Sequence, residues 1–114
     1  MFEWDEKKNR ANRAKHDVSF ETAALVFDDP YALTQRDPNS EEERLVTLGA
    51  IGPGAILFVV HLSYENAERE EVIRIISARP ATARERKSYE EAYNKAARRD
   101  RHRRRQARRR HRRF

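Results

Sequence analysis

The sequence predicts an α+β fold: two helices, a four-stranded antiparallel meander, then a C-terminal helix. Three observations carry that prediction. Apolar residues recur at helical spacing near both ends of the chain. Between them lie four stretches that alternate or run apolar, as strands do. The connections between those stretches are short, which makes antiparallel neighbours the economical pairing. With 114 residues, the chain has room for one domain rather than two.

Each element has a local cause. Phe2-Glu3-Trp4 is short and aromatic-rich, and suits a brief extra strand. Asp5 can cap the following helix by accepting an orphan backbone N–H. That helix, Lys7 to Lys15, contains no Gly or Pro; its apolar side is only Ala11 and Ala14, and its surface is cationic. His16-Asp17-Val18 makes a turn, and Ser19 caps a second helix. There Phe20, Ala23, Ala24 and Phe27 fall at i, i+3, i+4 and i+7, which predicts one buried face. Asp28-Asp29-Pro30 ends it, because the residue before proline is pushed out of the helical region.

The period then changes. Tyr31 to Arg36 reads as a strand, and Asp37-Pro38-Asn39-Ser40 as a turn. Arg44 to Ile51 reads as a second strand, and Gly52-Pro53-Gly54 as a tight connection. Ala55 to Tyr64 is almost continuously apolar, which predicts a central strand buried on both faces. Val72 to Ala78 completes the meander. Thr82-Ala83-Arg84-Glu85 matches a capping box and opens the last helix. Tyr89, Ala92, Tyr93 and Ala96 give that helix one packing stripe. No Gly or Pro follows Pro80, so it can run into the basic tail until charge repulsion frays it. The two early helices are expected to cover one sheet face, leaving the other free to hold polar residues.

Composition narrows the function classes. There are no cysteines, which excludes a disulfide scaffold, a thiol nucleophile and a thiolate metal site. The longest apolar run, Ala55 to Val60, is too short to span a bilayer. Charges begin at Glu3, against a signal peptide. A soluble, cytoplasmic protein without membrane association is expected. The net charge of +6 is unevenly placed: residues 98–114 hold 11 arginines and one acid, a net of +10. Residues 1–97 hold the other 14 of 25 basic and 18 of 19 acidic residues, a net of −4. The chain therefore divides into a body, residues 1–97, and an arginine-rich tail, residues 98–114, either a helix extension or disordered. Such asymmetry points to a polyanionic partner; it is also what a plain solvated extension looks like.

Motifs exclude more. His16, His61, His102 and His111 show no metal-ligand spacing, and no metal or other cofactor is expected. The glycines sit in a hairpin rather than between a strand and a helix, so no phosphate loop is present. No nucleophile elbow occurs. What remains is a set of charged groups on the strands and their flanks. Arg44 opens the second strand, and His61 lies within the most apolar one. Arg74 interrupts Val72-Ile73-Ile75-Ile76 and Arg79 ends that strand, while Arg84, Glu85, Arg86 and Lys87 open the last helix. An arginine within an apolar strand is costly unless paired or functional. RNA phosphodiester cleavage would use these groups without a metal. A base takes the 2′-OH proton, arginines neutralise the phosphorane, and an acid protonates the leaving 5′-oxygen. Arg44, His61, Arg74, Arg79 and Glu85 are the catalytic candidates. Lys8, Lys15, Arg84, Arg86 and Lys87 are the candidates for holding nucleic acid. Each has a plain structural alternative: Arg74 in an ion pair, Glu85 in the capping box, His61 in the core. Sheet register decides whether His61 shares a face with Arg74 or with Arg79.

Several separated motifs resemble the BrnT family. They are Phe2-Glu3-Trp4-Asp5, Lys8, Asn9, Asn12, Lys15-His16, Phe20-Glu21 and Phe27-Asp28-Asp29-Pro30. Arg44 with Gly49 follows, then Ile73 to Arg79 and Glu85 to Glu90. The resemblance covers residues 2–91 and stops before the tail. It implies a RelE-like fold and the toxin of a type II toxin–antitoxin module, a metal-independent endoribonuclease that arrests translation. It also implies a cognate BrnA-like antitoxin, with two toxins and two antitoxins per complex. Operator DNA is bound only through that complex. Among the motif positions, Arg44, Arg74 and Arg79 are the expected phosphate ligands. One departure stands out: many relatives carry a histidine a few residues before the position of Arg44, where this chain has Asn39-Ser40-Glu41-Glu42-Glu43. His61 would then have to serve. Two other readings compete. One is a non-catalytic nucleic-acid-binding module relying on the arginine tail. The other is an interaction subunit whose acidic body receives a basic partner.

Overall fold

A computed structural model of the chain describes residues 1–112. The elements run β1 (Phe2–Glu3), α1 (Glu6–His16), α2 (Phe20–Ala23), a 3₁₀ helix (Ala24–Asp28), β2 (Leu33–Arg36), β3 (Leu45–Gly52), β4 (Ala55–Glu65), β5 (Glu71–Pro80) and α3 (Ala83–Arg112). The five strands form one sheet in the order β1-β5-β4-β3-β2. β2 to β5 are the predicted antiparallel meander, and β1 adds two residues parallel to β5, pairing Phe2 with Ile73 and Glu3 with Arg74. No helix among the described residues is long and apolar enough to cross a membrane.

The helix starts follow their predicted caps. Asp5 accepts the Lys7 N–H at 2.8 Å, and Ser19 Oγ accepts the Thr22 N–H at 3.1 Å. At α3, Glu85 accepts the Thr82 N–H at 2.8 Å while Thr82 Oγ1 accepts the Glu85 N–H at 3.2 Å, a reciprocal capping box. The second helix differs from its prediction: after one α turn it tightens to 3₁₀. The three-residue repeat brings Val26 beneath Ala23, and both are fully buried. Gly49 on β3 makes room for this, since a Cβ there would lie 2.7 Å from Val26 Cβ.

One sheet face carries the core. Val18, Phe20, Ala23 and Val26 pack on Leu57, Val59, Ile75 and Ala78, with Trp4 and Phe27 at the margin. Burying these side chains stabilises the fold by roughly 1.5–3 kcal/mol for each large one. The face is fixed to α1 by a buried amide. β1 ends at Glu3, so β5 beyond Arg74 has no strand on that side. Asn12 fills the gap: its Oδ1 accepts the Ala78 N–H at 3.1 Å, and its Nδ2 donates to the Ala78 carbonyl at 2.8 Å and the Val18 carbonyl at 2.9 Å. Asn9 does similar work one turn earlier, accepting the Phe20 N–H at 2.8 Å and donating to Glu21.

The opposite face is not polar throughout, as expected, but has an apolar middle of Val46, Leu48, Phe58 and Val60. β4 is apolar at almost every position, so both faces receive hydrophobic residues, yet α1, α2 and the 3₁₀ helix cover only one. The root of α3 overhangs part of the other. It is tied down through Asp29: Oδ2 accepts the Ala50 N–H at 2.9 Å and the Tyr89 hydroxyl, and Oδ1 accepts the Tyr31 N–H at 2.9 Å. Burial pushes the Asp29 pKa up, but these three donors outweigh it and leave the carboxylate below its ordinary range. From there α3 continues without a break into the arginine-rich sequence, at least to Arg112; residues 113–114 lie outside the described residues.

Candidate active-site groove on the open sheet face

The open face holds a groove of about 380 Å³ beneath the first turns of α3. Leu33, Thr34 and Gln35 of β2, Val46 and Leu48 of β3, and Phe58 of β4 form its floor. Arg84, Glu85 and Ser88 form its rim. Arg79 adjoins it. Phe58 and Arg79 are register partners, and the guanidinium carbon lies 4.0 Å from the Phe58 ring centroid. Glu85 then clamps it with two parallel bonds, Nη1 to Oε1 at 2.7 Å and Nη2 to Oε2 at 3.0 Å. The capping box holds Glu85 in turn, so backbone chemistry at the helix start fixes the guanidinium. The arginine keeps its proton more firmly than usual, chiefly through the Glu85 hydrogen bonds. Glu85 is held below its ordinary pKa, chiefly by Arg79. It is ionised at neutral pH and has no proton to give, so it is a positioning group here rather than a general acid.

A bulge decides which other candidates share this face. Arg74 and Arg79 are an odd number of residues apart, and strict alternation would put them on opposite faces. The β4–β5 register shifts between Val60 and His61: Val60 pairs with Ser77 but His61 with Ile75, leaving Ile76 as the extra residue. Arg74 therefore pairs with Leu62 and joins Arg79 on the open face. It sits some four strand residues away, roughly 13 Å. There it bonds Glu3 at 3.3 Å, and Tyr64 also donates to Glu3. Arg44 sits one residue before β3, also away from the groove, with Glu42 at 3.1 Å.

His61 is the clear correction among the catalytic candidates. It points to the covered face, 3% exposed, with its ring edge against Phe27 at a centroid distance of 4.9 Å. Its Nε2 pairs with Thr47 Oγ1 at 2.7 Å, and Thr47 pairs with Thr34 at 2.8 Å. Burial lowers its pKa, so the imidazole is neutral. The sheet lies between it and the arginines, and it cannot replace a histidine before Arg44. Of the nucleic-acid candidates, Arg84 lines the groove. Arg86 and Lys87 are exposed on the same helix start without lining it, and Lys8 and Lys15 are exposed on α1, away from the groove. Phe58, Ser88 and Asp29 were not singled out by sequence. Only Asp29 carried a signal, as part of the Phe27 to Pro30 motif.

The arrangement offers a fixed cation beside an apolar floor and a second arginine at the rim. That suits an anion carrying flat, apolar groups, as a nucleic-acid strand does.

Comparison with known proteins agrees. A sequence model of the family described as "Ribonuclease toxin, BrnT, of type II toxin-antitoxin system" matches residues 4–85. Among solved structures, the crystal structure of the Brucella abortus ribonuclease toxin BrnT is similar, with 25% identity and a TM-score of 0.52. The match covers 72% of this chain and 97% of that one. No curated protein matches. The family match takes in the early helices, the meander and the start of α3, and it ends at the residue that clamps Arg79. The chain belongs to the BrnT family of ribonuclease toxins of type II toxin–antitoxin systems.

Proposed function

We propose that this chain is an active endoribonuclease that cleaves RNA without a metal, and that the groove on the open sheet face is its site. The observation that carries this reading is the Glu85-clamped, Phe58-stacked guanidinium of Arg79, with Arg84 at the rim. In cleavage by the 2′-OH, the 2′-oxygen forms a bond to phosphorus as the bond to the 5′-oxygen breaks. The 2′ proton passes to solvent water, the leaving oxygen takes a proton from water, and the products are a 2′,3′-cyclic phosphate and a 5′-hydroxyl. Negative charge builds on the phosphorane oxygens in between. A preoriented arginine in an apolar setting is worth most at that moment, because it needs no reorganisation. Arg79 is the charge stabiliser, Arg84 holds the neighbouring phosphate, and Arg74 and Arg44 meet the strand further along the same face. Among the described residues no histidine lines the groove, so charge stabilisation carries the rate enhancement.

The family reading extends to physiology. The toxin arrests translation in the cytoplasm and is silenced by a BrnA-like antitoxin. Two copies of each assemble, and operator DNA is bound only through that complex. The partly exposed apolar strip of Leu48, Phe58 and Val60 supports an antitoxin that masks the groove, since such a patch favours a protein partner.

Purified chain incubated with free RNA in EDTA, and with RNA on translating ribosomes in the Mg²⁺ that the ribosomes require, tests the reading. Cleavage to cyclic-phosphate ends is expected, with Arg79→Ala slower by about 10²–10³-fold. If the folded chain cleaves neither substrate, the reading fails. The binding-module alternative, favoured by the inward turn of His61, then takes its place.

A further inference from the structure

We propose that the distal half of α3 is a second RNA-binding element, an arm that holds the phosphates of the strand whose cleavage is proposed above. The choice of RNA rests on that reading; the existence of a phosphate-binding face does not. The family match ends at residue 85 and assigns nothing to this segment.

One side of the helix as far as Asp100 is turned to the body. Tyr89 bonds Asp29, Tyr93 packs on Tyr31 at 4.7 Å between centroids, and the Tyr31 hydroxyl reaches Asp100 at 3.5 Å. These three residues lie on one side, which fixes the orientation of the whole rod. Arg98, Arg101, Arg105 and Arg108 follow at i, i+3, i+7 and i+10, a stripe turned roughly 80–160° around the helix from Asp100. Arg98, Arg101, His102 and Arg105 enclose a shallow depression of about 410 Å³. The four arginines are exposed. The ion pairs among the described residues are Arg44–Glu42, Arg74–Glu3 and Arg79–Glu85, so these four have no acid of their own. The one acid of the segment, Asp100, faces the body. The acidic body therefore cannot neutralise this stripe, and a polyanion from outside can.

Geometry favours a nucleic-acid strand over an acidic protein. At about 1.5 Å per residue the stripe extends about 15 Å, roughly four steps of a stacked strand at about 3.4 Å each. It lies on the same helix as Arg84, whose first turns overhang the groove, so one rigid rod joins both contacts. Its arginines repel one another at i, i+3 and i+4, and phosphates between them would remove that repulsion.

The test uses the full chain carrying Arg79→Ala, so that binding is read without cleavage. Affinity for a fluorescent single-stranded RNA is measured against salt concentration. Two further variants carry Arg98, Arg101, Arg105 and Arg108 all as Gln or all as Lys. Four lost phosphate contacts lower the slope of log K against log salt by about 2.8. The Gln variant is expected to show that loss and the Lys variant to keep the slope. An unchanged slope with Gln overturns the proposal. Equal losses with Gln and Lys place the effect in the helix rather than its charge, and overturn it too. Polyglutamate competing as strongly as RNA per charge assigns the arm to an acidic protein instead. Failure of RNA cleavage by the parent chain alongside a Gln-sensitive slope sinks the enzyme and leaves the arm.

Discussion

On β4, Leu57, Val59 and His61 point beneath the early helices, while Phe58 and Val60 point to the open face. The same strand thus feeds two surfaces with different duties. On the covered face the neighbours are mostly apolar groups, and the buried polar side chains bond one another or the backbone, as Asn12 does the Ala78 backbone; His61 Nδ1 is the buried side-chain atom left without a partner among the described residues. On the open face, apolar residues are left half-exposed and the arginines are held by single carboxylates. A sheet that needed only stability would cover both faces. Leaving Phe58 only half-buried, with a clamped arginine over it, fits a surface whose partner arrives from outside.

Two phenylalanines measure this contrast. Phe20 is fully buried in the covered core, and Phe58 is half-buried under Arg79. Phe20→Ala is expected to lower unfolding stability by about 3–5 kcal/mol, in line with aromatic truncation in a packed core. Phe58→Ala should cost less than half as much, yet slow RNA cleavage, because the guanidinium loses its seat. Denaturant unfolding and cleavage rates on the same preparations check this. Equal stability losses, or a Phe58 variant with full activity, would erase the distinction between the faces.

A smaller effect isolates the clamp. Glu85 does two things at once, capping α3 and gripping Arg79. Gln supports a capping box but cannot offer the ionic fork. Glu85→Gln should therefore lower stability by no more than about 1 kcal/mol while reducing cleavage about tenfold, or about 1.4 kcal/mol of transition-state stabilisation. The loss should fall on kcat rather than KM, since the orientation of Arg79 matters most as charge develops. A purely structural Glu85 would show the reverse: lower stability at unchanged kcat.

How much of this could be read beforehand depended on the range of the interaction. Asp5, Ser19 and Thr82 act within three residues, and their caps were legible as local chemistry. The meander followed from short loops. The shared face of Arg74 and Arg79 was not legible, because it depends on one extra residue at Ile76, and a bulge leaves no mark in the alternation. The seat of Arg79 on Phe58 required cross-strand register, which sequence does not carry. His61 was misplaced for the same reason, its chemistry suiting catalysis while its parity put it in the core. Asp29 lay within a recognised motif, but its role in joining β3 to α3 is long-range and needed the fold.

The smallest expected effect tests the corrected place of His61. Burial lowers its folded pKa below the ordinary 6.5. Above that value the ring is neutral in both folded and unfolded chains, and it adds no pH dependence. As pH falls through about 6.5, the unfolded chain takes up the proton first and the folded state loses stability relative to it. The loss continues down to the lowered folded pKa, and one pH unit below 6.5 it amounts to about 1.4 kcal/mol at most. Glu85 and Asp29 titrate from ordinary values of 4.5 and 3.8 that the fold moves lower, so they leave this window clear. His61→Gln keeps a hydrogen-bonding group beside Thr47 and removes the titration. Tm measured from pH 7.5 to 5.5 should fall for the parent chain and stay nearly flat for the variant, with cleavage at pH 7.5 little changed. A variant that keeps its stability profile but loses cleavage would return His61 to the active site and place the chemistry on the wrong side of the sheet.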